Sequence, residues 1–350
     1  MIGLTLPATR GKQGERVFYV VTVPNSVLNN FFTINMDPPE EKSQRQLDPR
    51  HAHDIRDYIL ESPSDYVIPT LVYAVDRDCP FKDSKDSDSV GLLTIPFGTN
   101  LRSLDGQHRR QGLNEAIAEN PFIAEDYTSV LIYVEPDVDK RRQMFSDMNA
   151  TPKVVSKALN VYFDRRSPFA RAAQALAEQH PFLSGHVDMQ AARISAGSEK
   201  WFSLGTIFDV MKRLQVGPTG RVRLEHRFLE EGVQERGGRF FELLGDARDE
   251  FDDVAAGRAD LTVLRQRNIL FSGTTLRALA GAVYILIEHD PDRDMTPFAD
   301  GLRTVDFRPQ AEIWRRTGFV SPGRTTPNAR NQEVLAATRA LAKAMENPAA

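Results

Sequence analysis

The stretch of the sequence best suited to chemistry is the polar run Ser103–Arg110, which reads Ser-Leu-Asp-Gly-Gln-His-Arg-Arg. A strand-like segment, Leu101 to Leu104, precedes it, and Leu113, Ala116 and Ile117 share one face of a helix that follows. The pattern predicts a glycine-containing turn that sets polar side chains at a helix N-terminus. Free backbone N–H groups and the helix dipole make such an end attractive to anions.

The residue types in this turn favour phosphate as the anion. Arg109 and Arg110 carry guanidinium groups, which match phosphate oxygens in bidentate fashion. Gly106 and Gln107 complete the candidate phosphate- or nucleotide-binding residues of the turn. An ordinary Asp-Gly turn before a helix with solvated arginines is an equally good interpretation of the spacing alone. The Gly and Lys spacing of a Walker-type phosphate loop does not occur.

Asp105 and His108 are the candidate catalytic residues, if the protein hydrolyses a nucleotide. Asp105 either caps the helix and orients Arg109, or binds a Mg²⁺ ion that bridges to phosphate. His108 is either a proton-transfer group or only a hydrogen-bond donor. On the enzyme interpretation the cofactors would be Mg²⁺ with ATP or GTP.

Other candidate positions carry weaker signals. Gln44 and Arg45 precede a helix from Asp48 to Leu60. They could reach a phosphate, but a solvated surface pair is the more usual interpretation of two such residues in isolation. His51 and His53 point in nearly opposite directions on that helix, so a shared metal ion is not expected.

A helix after Val138 contains two further residues of interest. We expect Phe145 to be a core residue, and Asn149 to be a C-terminal cap or turn residue of that helix.

DNA contact, if there is any, must come from local basic patches, because the formal net charge is −4. The candidate DNA-binding residues lie in three basic clusters: Lys153 and Lys157, Arg165 and Arg166, Arg315 and Arg316. A solvated face is the more usual interpretation of each cluster. Trp201 and Trp314 are expected to pack inside the fold and not to stack on bases.

The remaining composition indicates a cytoplasmic globular protein. Cys79 is the only cysteine, which excludes an intrachain disulfide and fits a reducing compartment. The segment Met1 to Arg16 lacks the apolar core of a secretory signal. The longest apolar stretch, Leu279 to Ile287, is too short to cross a membrane.

The pattern of elements predicts an α+β protein with two domains. Strand-like segments are Val17 to Val23, Pro69 to Val75, Leu92 to Ile95 and Ser129 to Val134, while Cys79 to Asp88 is expected to be a loop. After residue 165 nearly every periodic segment is helical. We therefore expect domains at 1–165 and 166–350.

Five further segments carry a family resemblance. Together with the DGQHR sequence at Asp105 to Arg109, they are Gly11 to Val20, Tyr58 to Val67, Gln143 to Asn149, Ser156 to Val161 and Asp164 to Pro168. In these segments the chain resembles the DndB-like group of DGQHR-motif proteins, most strongly from Tyr58 to Asp164. One departure is the stretch Arg193 to Lys200, which is less basic than its counterpart in that group.

The resemblance implies a DNA-binding regulatory protein that acts beside a DNA phosphorothioation system and represses or tunes its genes. It implies DNA and other proteins of that system as partners, with a homo-oligomer possible. The motif also resembles the phosphate-binding turn of ParB and sulfiredoxin, which implies a ParB/sulfiredoxin-like first domain before a mostly helical second one. A related DGQHR protein resembles an ATPase, and GTP-using restriction proteins pair a Gln-Arg with a later DGQ-Arg. The alternative is therefore an enzyme that hydrolyses ATP or GTP to drive or license DNA modification or restriction.

Overall fold

The computed structural model describes residues 2–32, 47–150, 155–220, 222 and 225–347, except for the side chain of residue 226. The chain divides into two compact units, Met1–Lys153 and Val154–Ala350. The division falls before the boundary at 165 that the sequence predicts. The helix Lys157–Phe163, which was expected in the first domain, packs against the helix Leu204–Val216 of the second unit. The mixed α and β character that the sequence predicts is confirmed.

The first unit is a mixed sheet with helices on both faces. Its elements in chain order are β1 (Gly3–Gln13), β2 (Arg16–Pro24), α1 (Asn25–Phe31), α2 (Pro49–Glu61), β3 (Leu71–Val75), β4 (Phe81–Asp83), β5 (Val90–Pro96), β6 (Leu101–Asp105), α3 (Gln107–Glu119), a 3-10 helix (Pro121–Glu125), β7 (Tyr127–Val134) and α4 (Val138–Ala150). The strand order is β4-β5-β1-β2-β7-β3-β6, so β6 forms one edge. Strands β3 and β7 pair in parallel, and the other pairs are antiparallel.

Two hydrophobic clusters cover opposite faces of this sheet. Strand residues such as Val21, Tyr73 and Ile132 pack with Ile59 of α2 and Leu113 of α3 on one face. On the other face a smaller cluster joins strands β3, β6 and β7 to Met144 of α4. The edge strand β6 therefore ends between α3 on one face and α4 on the other.

Strands β1 and β4 were not expected from the sequence. Strand β1 contains Gly3, Pro7 and Gly11, residues that are normally depleted in strands. Its pairing with β2 begins at Ala8, just after Pro7, so the proline lies opposite Leu92 of β5 alone. Strand β4 has three residues within the segment that was expected to be a loop, and that expectation was wrong there.

The second unit is almost entirely helical. Its elements are α5 (Lys157–Phe163), α6 (Pro168–Gln179), β8 (Val187–Asp188), β9 (Phe202–Ser203), α7 (Leu204–Val216), a 3-10 helix (Glu225–Arg227), α8 (Glu230–Ala247), α9 (Asp249–Ala255), α10 (Leu261–Arg267), α11 (Gly273–Ile287), α12 (Thr296–Thr304), α13 (Glu312–Arg316) and α14 (Asn331–Glu346). One core cluster holds these helices together and includes Trp201 and Trp314, which are 3% and 0% exposed. Their expected packing role is confirmed.

Candidate functional site at the start of helix α3

The predicted glycine turn joins strand β6 to helix α3. Gly106 is the N-cap residue and has φ 92° and ψ 13°, in the left-handed region that favours glycine. A Cβ atom added at Gly106 would also lie 2.5 Å from Cδ2 of Leu71 and 3.1 Å from Nη2 of Arg109. The turn therefore needs glycine both for its backbone conformation and for the space that a side chain would fill.

Asp105 and Arg109 are joined across this turn. A guanidinium N–H of Arg109 donates to the Asp105 carboxylate, and the two groups form an ion pair one helical turn apart. The first interpretation of Asp105, a helix cap that also orients Arg109, agrees with this bond in its orienting part, but the N-cap residue is Gly106 and not Asp105. The second interpretation, a carboxylate that binds Mg²⁺, stays a prediction. The remaining N–H groups of Arg109 have no acceptor among the described residues.

His108 connects helix α3 to helix α2. Its Nε2 atom accepts a hydrogen bond of 2.9 Å from the backbone N–H of Asp48. Asp48 is the N-cap of α2, and its Oδ1 accepts from the N–H of Arg50 at 3.0 Å. This Nε2 lone pair is therefore engaged in linking two helices. A neutral imidazole that accepts at Nε2 carries its proton on Nδ1, so the expected role of His108 as a donor stays a prediction for that atom. The ring of His51 lies 5.0 Å from the His108 ring, centroid to centroid.

A cleft of about 400 Å³ opens beside the turn. Besides Asp105, Gly106, Gln107, His108 and Arg109, its walls are formed by Ser103 and Leu104 of β6, His51 of α2, and Phe145 and Asn149 of α4. Ser103 and Gln107 are buried, with 2% and 7% of their surface exposed. The cleft thus combines a helix N-terminus with polar side chains from four elements, an arrangement typical of small-ligand sites.

Phe145 and Asn149 belong to this cleft, which sequence reasoning missed. Phe145 is half-buried and lines the cleft wall, so its assignment to the core was wrong. Asn149 lies within α4, one residue before its end, and its Nδ2 donates to the Phe145 carbonyl at 2.7 Å. Their spacing of four residues places both on one helix face, which is the signal that could have found them.

Arg110 lies away from the cleft. It is 5% exposed, and its Nη2 donates to the Asn29 carbonyl at 3.4 Å. Desolvation by burial lowers the pKa of this guanidinium. The reason is its position on α3, because Arg110 shares the i, i+3 stripe with Leu113, which faces the sheet. The expected phosphate contact of Arg110 therefore has no support in the geometry of the turn.

Three of the sequence candidates fall outside the described residues. They are Gln44, Arg45 and Lys153.

The other basic candidates lie in the second unit and are exposed. Lys157 forms an ion pair with Asp209, and the Nη1 atom of Arg165 donates to Gln174 at 2.6 Å. Arg166 follows Asp164 in the loop between α5 and α6.

Arg315 and Arg316 differ from Lys157 and Arg165. They end α13, and their side chains form no ion pair or hydrogen bond with the described part of the chain. Their cationic groups are therefore available to a ligand.

The two histidines of α2 have separate partners, as the sequence predicts. His51 lies against His108, whereas Nε2 of His53 is 3.7 Å from Oε2 of Glu115. No group of three or more His, Cys, Asp or Glu side chains with the arrangement of a metal site occurs within the described ranges.

Among the helices of the described residues, none is long and apolar enough to span a membrane.

Comparisons with known proteins agree with the resemblance of the motifs. No curated protein and no solved structure matches the chain. The DndB family, described as DNA-sulfur modification-associated, matches residues 6–348, which is nearly the whole chain. The protein therefore belongs to the DndB family and has a role in a DNA sulfur modification system.

Proposed function

We propose that this protein is a DNA-binding regulator that represses or tunes the genes of a DNA sulfur modification system, and that the turn at Gly106 contacts phosphate. The observation that carries the proposal is the position of Arg109. Its guanidinium is fixed by Asp105 close to the Cα of Gly106, where the N-terminus of α3 meets the cleft.

This arrangement suits binding better than hydrolysis. Arginine has five N–H donors, so a bond to Asp105 leaves donors for phosphate oxygens. The backbone N–H groups of the first turn of α3 add partial positive charge. In contrast, the Nε2 lone pair of His108 already accepts the backbone N–H of Asp48, which argues against its use as a general base.

The wider DNA surface is proposed to include the exposed arginines of the second unit. Arg315 and Arg316 have unpaired cationic groups among the described residues, and Arg165 and Arg166 are exposed. Because the net charge is −4, these local groups must supply the attraction to phosphate. Contacts of this kind position a protein on DNA without reading its sequence.

Two finer expectations belong to the same proposal. We infer that the strand–turn–helix of β6, Gly106 and α3 is a ParB/sulfiredoxin-like phosphate turn. A regulator of a modification system would also meet other proteins of that system, and a homo-oligomer would let it engage paired DNA sites.

The test is binding of purified protein to duplex DNA, followed by fluorescence anisotropy at several salt concentrations. We expect the logarithm of the affinity to fall linearly with the logarithm of the salt concentration. The variant Arg315→Ala/Arg316→Ala should lower both the affinity and the slope. A wild-type protein with no measurable affinity for DNA at low salt would overturn the proposal.

A second candidate function, hydrolysis of ATP or GTP, is favoured by the cleft itself. Its volume of about 400 Å³ lies within the range of small-ligand sites. Among the described residues that line it, Asp105 is the carboxylate available to Mg²⁺, and it would have to release Arg109 to bind the ion. Incubation of the protein with labelled ATP and GTP, Mg²⁺ and DNA tests this function, and an absence of turnover contradicts it.

A further inference from the structure

A second cleft lies in the second unit, where the last turn of α11 and the loop after it meet the C-terminal half of α14. Its volume is about 370 Å³. Ile285, Leu286 and Ala342 contribute apolar surface to its lining, and Arg293, Arg339 and Lys343 contribute cations. The cleft therefore offers apolar and positively charged surface side by side.

Positive charges outnumber negative charges in the lining of this cleft. The three cations share it with two carboxylates, those of Asp290 and Glu346, and with His289. Glu346 lies 3.8 Å from Arg293, whose Nη1 also donates to the Leu286 carbonyl at 3.1 Å. These contacts hold Arg293 at one side of the cleft.

Arg339 and Lys343 are the available cations. Both are exposed, and within the described residues neither side chain forms a hydrogen bond or an ion pair. They are four residues apart on α14, so their Cβ atoms are neighbours about 5–6 Å apart on one face of the helix. Ile285 of α11, which is 36% exposed, lies in the same cleft.

This combination fits the backbone of a nucleic acid. Along one strand, charged phosphates alternate with sugars that present largely apolar surface. Two adjacent cations with an apolar strip beside them can hold the phosphates and pack against the sugar between them. A free inorganic anion would use the cations and leave the exposed Ile285 without a partner.

We propose that the cleft between α11 and α14 binds backbone phosphates of DNA through Arg339 and Lys343. This assignment rests on the proposed DNA-binding function and adds to it a surface separate from Arg315 and Arg316. Free nucleotides carry the same phosphate chemistry, so the experiment must distinguish them from DNA.

The experiment compares Arg339→Ala/Lys343→Ala with the wild-type protein in duplex-DNA anisotropy over a salt series. Loss of two phosphate contacts should lower the magnitude of the log-affinity against log-salt slope by about 1.8. At fixed low salt the affinity should fall about tenfold. The control is Arg267→Ala, which removes an exposed cation at the end of α10, outside the cleft lining, and should leave both the affinity and the slope unchanged. The paired variant Arg339→Gln/Lys343→Gln guards against a loss of helix stability, because it keeps long polar side chains.

The outcomes separate this assignment from the proposed function. If wild type binds DNA and the double variants bind with unchanged affinity and slope, the cleft assignment is wrong and the proposed function stands. If wild type does not bind DNA, both are overturned. Calorimetric titration with ATP and with inorganic phosphate tests whether the cleft binds free phosphate compounds instead of DNA. Loss of ATP binding in the double variants together with unchanged DNA binding would make the cleft a nucleotide site and overturn the assignment.

Discussion

Arg109 donates a hydrogen bond to the carboxylate of Asp105 across the turn at Gly106, and its Nη2 lies only 3.1 Å from the point where a Cβ of residue 106 would stand. Asp105 thus binds the guanidinium, and the missing side chain at residue 106 leaves the space that the guanidinium occupies. Together the two residues keep the remaining donors of Arg109 beside the N-terminus of α3. Three of the predictions below alter one member of this arrangement at a time.

Arg109→Lys should weaken DNA binding while leaving the fold intact. Lysine keeps the charge but loses the planar fork that binds phosphate through two donors. We expect a loss of binding free energy on the order of 1–3 kcal/mol, as for charge-assisted hydrogen bonds. DNA anisotropy and a melting curve on the same sample provide the measurement. A variant that melts several degrees lower but binds DNA normally would show that the turn is only a scaffold.

Gly106→Ala should destabilise the first unit more than an alanine at another left-handed glycine. The residue at 106 has φ 92°, and the new methyl group would meet Cδ2 of Leu71 at 2.5 Å. Strain and overpacking each cost about 1–3 kcal/mol. Gly98→Ala is the matched control, because Gly98 has φ 78° and nothing within 4 Å of an added Cβ. Equal losses of unfolding free energy for the two variants would show that contact with Leu71 does not matter.

Several local features of the site could be predicted from sequence. The N-cap at Asp48, Pro49 in the first turn, and the strand–glycine–helix order around Gly106 are all set by neighbouring residues. The helical nature of the second unit follows from the periodicity of its apolar residues, and Ser203, a residue type favoured at N-caps, caps helix α7. Local chemistry decides these features, so no knowledge of the tertiary fold is needed.

The remaining features of the site depend on tertiary packing. The four-residue spacing of Phe145 and Asn149 places both on one face of α4, but it does not say that this face lines a cleft beside β6. The bond from Asp48 to His108 joins residues that are 60 positions apart. The spacing of three residues between Arg110 and Leu113 already indicated that Arg110 lies on the buried face of α3. Its position beside a motif that resembles a phosphate-binding turn instead favoured a phosphate contact. In that case the periodicity was the better guide.

Cys79 should react slowly with alkylating reagents in the native protein. Burial, with help from the nearby Asp78 and Asp76, raises the pKa of its thiol to about 11. An unfolded thiol has a pKa of about 8.5, so at pH 8.5 the native thiolate fraction is lower by about a hundredfold. Because the folded pKa is raised, this group stabilises the fold fully below about pH 8.5, and the contribution is lost as the pH rises toward 11.

The measurement is the rate of iodoacetamide labelling at pH 8.5 with increasing urea. Cys79 is the only cysteine, so labelling reports the opening of the first unit alone. Native labelling as fast as that of the urea-unfolded chain would contradict the buried position of the thiol.

Arg165→Ala/Arg166→Ala should weaken DNA binding across many sequences alike. Contacts to phosphate carry no base information, so the affinities for unrelated duplexes should fall together. Each lost contact should reduce the magnitude of the salt slope by about 0.9. Arg258→Ala is a suitable control, because it removes another exposed arginine of the second unit, one that follows helix α9 and lies beside Asp253 at 2.8 Å. Unchanged affinity and slope in the double variant would remove these residues from the DNA surface.

Asp105→Asn separates the two candidate functions of the turn. The asparagine keeps the shape of the side chain but removes the negative charge that pairs with Arg109. If the turn binds DNA, the site becomes more positive while Arg109 is held less firmly, and we expect affinity within about threefold of wild type, a change below 1 kcal/mol. If the turn instead hydrolyses a nucleotide, loss of the carboxylate should abolish Mg²⁺-dependent turnover while the fold survives, because exposed ion pairs contribute only about 0–1 kcal/mol to stability. Measured together, DNA affinity, ATP and GTP turnover and melting temperature decide the matter: wild-type turnover that disappears in Asp105→Asn would replace the regulator proposal with an enzyme that uses this site.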